Sequence, residues 1–184
     1  MKRIAIVVLV AQFGIAGIFA EERSTNVRMK ASGDSLATTI SLADNNTITD
    51  EETLAGDGTL GGFTFHALRT DGVAPKPPAT CAPPLLFFPV VTGSGVFRFD
   101  DGSLLVVNIT GGGGCVDLAV GVAQLIETYE VVRGTGRFAH ASGTLTLTSA
   151  LMPVVFNTSG NPQLLTITGK LDGKVFGLGH GDEQ

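Results

Sequence analysis

GSGVFRFDDGSLLVVNI, residues 93–109, is the stretch on which the fold turns. Phe97 and Phe99 alternate with Val96, Arg98 and Asp100, the period of two expected of a strand with one buried face. Asp101-Gly102 supplies a residue that tolerates positive φ, which a tight hairpin needs. Ser103 to Ile109 then returns as a second strand. The pattern recurs 41 residues on. Gly93-Ser94-Gly95-Val96-Phe97 with Gly102-Ser103-Leu104 lines up with Gly134-Thr135-Gly136-Arg137-Phe138 and Gly143-Thr144-Leu145. Gly58-Thr59-Leu60 is a weaker echo. Repetition of a glycine-permitted bend, an aromatic and a returning strand predicts a barrel or sandwich of successive hairpins.

Working outward, the spacing predicts strands at Leu36–Leu42, Thr47–Leu54 and Thr59–Leu68. A Pro-rich loop follows at 71–89, with five prolines between Pro75 and Pro84 that cannot donate to a ladder. Beyond 109, Gly111–Gly114 reads as a hairpin loop without the lysine or helix of a phosphate cradle. Cys115–Ile126, Glu127–Arg133, Thr144–Thr148, Val154–Phe156, Leu164–Thr168 and Lys174–Phe176 complete the set. The 25 glycines and sparse charge suit short strands and tight turns. Residues 21–33 are polar and mixed in charge and read as a flexible leader, leaving 34–184 as a single all-β domain.

The N-terminus predicts export. Lys2 and Arg3 precede an apolar run from Ile4 to Ile18, small residues end it, and Glu21 and Glu22 follow, the parts of a signal peptide over residues 1–20. Cleavage fits after Ala20 or, with the small Gly14 in the third position before the cut, after Ala16; an uncleaved anchor is the rival reading. Loss of Lys2 and Arg3 makes a chain of formal charge −5 two charges more negative. Such a surface has no electrostatic reason to seek nucleic acid or an anionic membrane. The expected location is secreted or periplasmic, without stable membrane anchoring after cleavage. Cys81 and Cys115 are then most simply one disulfide. The alternative is a reactive thiol or a metal ligand, although neither has a cysteine or histidine at ligand spacing.

Residues 129–148, YEVVRGTGRFAHASGTLTLT, resemble a signature of the allene oxide cyclase and dirigent β-barrel superfamily, in which a strand ends in a small-Gly-x-Phe segment and a glycine soon starts the next. Phe97–Val107 is similar to that family's earlier hairpin, and the resemblance spans mainly 93–148. It implies an antiparallel meander barrel of about eight strands, often trimeric, with a cavity for a small apolar molecule. Family members steer a reactive lipid epoxide or phenolic radical with residues largely from early strands. No counterpart is recognised in the early strands here, so the activity is not carried over.

Chemistry is sparse. His66, His140 and His180 share no metal-ligand spacing, and no metal or cofactor is expected. Asp44, Asn45, Asn46, Asp50, Glu51 and Glu52 do not fit a calcium loop and read as a solvated acidic turn. Sequons at Asn45, Asn108 and Asn157 are of the short kind that arises by chance. Glu127, Tyr129 and Arg133 are the ligand-site candidates, alternating on one strand face. Facing inward they would be buried groups needing partners; facing outward, the blander reading, they would be an exposed edge. The double-sided apolar character of 103–109 and 115–126 suggests a covering subunit, hence a homo-oligomer. The functional expectation is a non-catalytic secreted barrel that binds a small apolar ligand or serves assembly; the alternatives are a cyclase-like or dirigent-like enzyme and a structural envelope or matrix protein. The intact mass of secreted protein is expected to show cleavage after Ala16 or Ala20 and a loss of about two hydrogens for the bridge.

Overall fold

Strand pairing closes on itself in the computed structural model, which describes residues 24–38, 46–76 and 81–179. The strands are β1 Ser24–Thr38, β2 Thr47–Gly58, β3 Phe63–Gly72, β4 Leu86–Phe99, β5 Leu104–Asp117, β6 Val122–Gly134, β7 Ser142–Phe156 and β8 Pro162–Phe176. Each pairs antiparallel with its chain neighbour, and β1 pairs with β8 from Ser24↔Phe176 to Leu36↔Leu164. The all-β meander barrel is therefore complete, with no free sheet edge among these strands. The region of the signal peptide, Asp44, Asn45 and His180 lie outside the described residues.

Several expected boundaries move. Ser24–Gly33, read as leader, belongs to β1: Val27, Met29 and Ala31 are buried while Arg28 and Lys30 are exposed. The outward charges masked an ordinary alternation. Gly111–Gly114 is not a hairpin loop but lies within β5. The turn comes at Leu118–Gly121, held by Gly121 N–H donating to Asp117 O at 2.7 Å and Ala119 N–H to Asp117 Oδ1 at 2.9 Å. The glycines were misleading because they thin the wall, placing no side chain beside Leu125 and Glu127 across the ladder. Thr144–Thr148 and Val154–Phe156 join into β7, which runs through Pro153 with register shifts there. The loop at 71–89 is shorter than its predicted span, since β3 reaches Gly72 and β4 starts at Leu86.

Cys81 and Cys115 are bonded, with Cα atoms 5.5 Å apart. Cys115 lies on the strand face opposite to Val116, so the bridge pins the Pro-rich segment to the outside of β5.

Inward residues fill only half of the barrel. At the end formed by the β3 start and β4 end, Phe63, Phe65, Phe97, Phe99 and Phe138 make a packed aromatic plug with Tyr129. Phe65 and Phe97 stack at 4.2 Å between centroids, and Phe99 meets Phe138 at 4.6 Å. The Arg137 guanidinium covers Phe99 and Phe138 at 5.0 and 4.7 Å and pairs with Asp101 at 3.0 Å. The two repeat copies share this plug but not a conformation. Gly95 is mid-strand and leaves the space occupied by the Phe65 ring, whereas Gly136, at φ +57°, starts the short 3-10 turn Gly136–Phe138.

Gly95→Ala is expected to lower stability by roughly 1–3 kcal/mol in denaturant melts, because its methyl would meet the Phe65 ring. Gly111→Ala, where nothing lies in the way of a methyl, should stay within about 0.5 kcal/mol of the parent.

Candidate functional site

Period-two alternation carries polar side chains inward just above the plug. On β2 the face that holds Leu54 also holds Asp50 and Glu52; on β3 the face of Phe63, Phe65 and Ala67 continues to Arg69 and Asp71; on β6 the face of Leu125 continues to Glu127 and Tyr129. Asp50 and Arg69 are cross-strand partners, and Gly93 of β4 on the other side of Arg69 adds no bulk. Arg69 is 3% exposed, and Glu52 and Glu127 are wholly buried.

Arg69 organises this layer. Its Nε donates to Asp71 Oδ2 at 2.9 Å, Nη2 to Asp50 Oδ2 at 2.8 Å, and Nη1 to Glu127 Oε1 at 3.0 Å and also to Glu52 Oε1. Tyr129 Oη donates to Glu127 Oε2 at 2.6 Å. One guanidinium thus faces four carboxylates, three more negative charges than positive if all were ionised. Burying that excess is costly, so protons are retained. Burial pushes Glu52 up to about 8; Arg69 opposes the rise, while Glu127, Asp50 and Asp71 add to it. Burial likewise raises Asp71 to about 7 against the pull of Arg69. Burial alone would lower Arg69, but the four carboxylates reverse this and hold it well above its usual range. Burial and then Glu127 keep the Tyr129 phenol protonated far above its ordinary range.

Above the layer the described residues leave the barrel unfilled. A cavity of about 690 Å³ opens at the end where β5 turns into β6 and β7 into β8. Its walls include Phe88, Val116, Leu118, Leu125, Leu151 and Leu165, and its floor holds Ser35, Asp50, Arg69 and Asp71. Ser35 Oγ and Glu52 Oε2, at or beside this floor, are buried without a hydrogen-bond partner, and the Asp71 carboxyl meets that of Asp50 through a retained proton.

Two of the three sequence candidates come together here. Glu127 and Tyr129 face inward, against the blander reading of an exposed edge. Arg133 does not join them: Val106 pairs with Arg133 but Val107 with Val131, so Val132 is an extra residue. That bulge reverses the alternation and leaves Arg133 exposed on the outer surface. The solvated-turn reading fails for Asp50 and Glu52, although Glu51 between them is exposed. Arg69 and Asp71 were missed altogether, and extending the Phe63-Phe65-Ala67 parity would have found both. His66, with Nδ1 3.3 Å from Thr53 Oγ1, and His140 are exposed. Among the described residues no three His, Cys, Asp or Glu side chains are grouped to hold a metal ion.

No family model matches the chain, and no curated protein does. Among solved structures the chain is similar to a pterocarpan synthase dirigent protein, over 89% of this chain and 90% of that one, with a TM-score of 0.44 and 10% identity. No residue role is carried across at that distance.

The raised carboxylates fix the sign of the pH dependence. A group that holds its proton more tightly when folded stabilises the fold below its unfolded pKa, and the stabilisation is lost as pH climbs through its folded pKa. Stability should therefore fall from about pH 4 to about pH 8 through Asp71 and Glu52. Thermal melts across that range should slope downward, and Glu52→Gln should flatten the slope. Arg69→Met, which strands Glu52 and Glu127, is expected to cost about 3–5 kcal/mol at pH 8 and less at pH 5.

Proposed function

We propose that the protein is a secreted binding protein that takes a small molecule with an apolar body into the open half of the barrel. One observation carries this reading: among the described residues the interior is packed at one end and hollow at the other. A cavity of about 690 Å³ with apolar walls and a few convergent polar groups has the size and character of a small-molecule site. A barrel needing only stability would fill that space, since each unfilled methylene forfeits dispersion and burial. The disulfide supports the secreted location, because such bonds persist in oxidising compartments. Outward apolar residues, Val96, Ile126 and Val132 among them, support self-association.

A second reading, an enzyme that steers a reactive lipid or phenolic intermediate, rests on Asp71. Its carboxyl lines the cavity and titrates at about 7, as a proton donor near neutrality must. Turnover of a panel of epoxides and phenols that disappears in Asp71→Asn would favour it over simple binding.

The chain has no tryptophan and a single tyrosine, so an apolar naphthyl dye can be followed against a dark background. The dye is expected to brighten on binding with micromolar affinity. Ala123→Phe, which projects a ring from the cavity wall, should weaken it by at least about ten-fold while leaving the β-sheet circular dichroism intact. Equal dye binding by parent and variant would overturn the cavity as the site.

A further inference from the structure

We infer that the molecule held in the cavity carries a protonated amine, seated on the floor against Asp50 and Asp71 with the Ser35 hydroxyl as a further acceptor. This rests on the cavity being a binding site and goes on to name the chemistry of its ligand.

The donor count argues first against an anion. A guanidinium has five N–H donors. Arg69 commits four contacts to Asp71, Asp50, Glu52 and Glu127. Among the described residues lining the cavity, Arg69 is also the one cation. A carboxylate or phosphate head would find at most one free N–H on Arg69 and would lie against two acidic side chains, Asp50 and Asp71. Acceptors are what the floor has in excess. The fully buried Ser35 Oγ has no partner, and the Asp71 carboxyl, which also lines the cavity, is paired with Asp50 only through a retained proton.

Charge balance then selects a cation over a neutral donor. The groups facing the floor are Asp50 and Glu52 from β2, Arg69 and Asp71 from β3, and Glu127 and Tyr129 from β6; β1 contributes Ser35. The lining residues of β4, β5, β7 and β8 carry no charge. Four carboxylates around one guanidinium must hold protons when the cavity is empty. An ammonium supplies one of the three missing positive charges together with three donors, and its charge-assisted hydrogen bonds are about twice as strong as neutral ones. The apolar walls above take the ligand's hydrocarbon body. Because an ammonium replaces a proton on Asp71, binding releases that proton, and affinity should rise with pH through about 7.

The test uses the whole secreted protein and three probes of one chain length, octylamine, octanol and octanoate, each displacing the naphthyl dye. Octylamine is expected to displace it at a concentration lower than octanol by at least about ten-fold, with octanoate weakest. Its advantage over octanol should grow from pH 6 to pH 8 and shrink in Asp71→Asn and Ser35→Ala. Parity of octanol with octylamine, or a preference for octanoate, would overturn the cationic head while leaving the cavity a binding site. A dye that does not bind at all would overturn the site itself. The selectivity of the unaltered protein decides the matter even where a variant fails to fold.

Discussion

A guanidinium cannot be left unpaired in a protein interior, and in this barrel it is paired to excess. Arg69 reaches three strands' worth of side chains from one position, so β2, β3 and β6 are tied across the lumen as well as around the wall. The interaction is a constraint as much as a source of stability. Buried ion pairs roughly break even against a well-packed apolar core, yet removal of one partner leaves the others stranded. The layer is therefore fixed in composition, and everything on either side must accommodate it. Below, the Tyr129 hydroxyl hands the aromatic plug over to Glu127 without an unsatisfied group. Above, Gly114 lines the cavity where a side chain would narrow the lumen, while beside Arg69 the Ile109 side chain takes the space that Gly93 leaves.

Closure of the wall makes such an interior possible. With β1 paired to β8, every strand has two neighbours, and the ladders that pair the wall's backbone run around the barrel without help from the lumen. The inward side chains are then released from covering the ladder and can be aromatic, charged or absent. A sandwich of the same length would need both inner faces packed throughout.

How far this was legible depended on what the local pattern records. Phe97, Asp101-Gly102 and the return through Leu105 announce a hairpin because turn chemistry and alternation lie within one stretch. Glu127 and Tyr129 could be paired with each other by parity, but their direction could not be read without the far wall. The Val132 bulge, which turned Arg133 outward, leaves no mark in the residue types. Asp50 and Glu52 were hidden by the neighbours Asp44 to Asn46 and Glu51, since a cluster of acids ordinarily means solvent. Arg69 was hidden for a deeper reason. Three of its four partners lie 17, 19 and 58 residues away, and a buried charge is recognisable only by the company that the fold brings to it.

The division of the lumen into a plug and a cup also separates two kinds of mutational load. Phe65, Phe97, Phe99 and Phe138 carry cohesion at one end, while Phe88, Val116, Leu118 and Leu151 shape the space at the other. A change among the second group alters the outline of the cup without opening a void in the plug. The same scaffold can therefore drift between guests of different shape while its folding remains anchored elsewhere. What such drift would keep is the floor between the two halves, where a change on one side is felt on both.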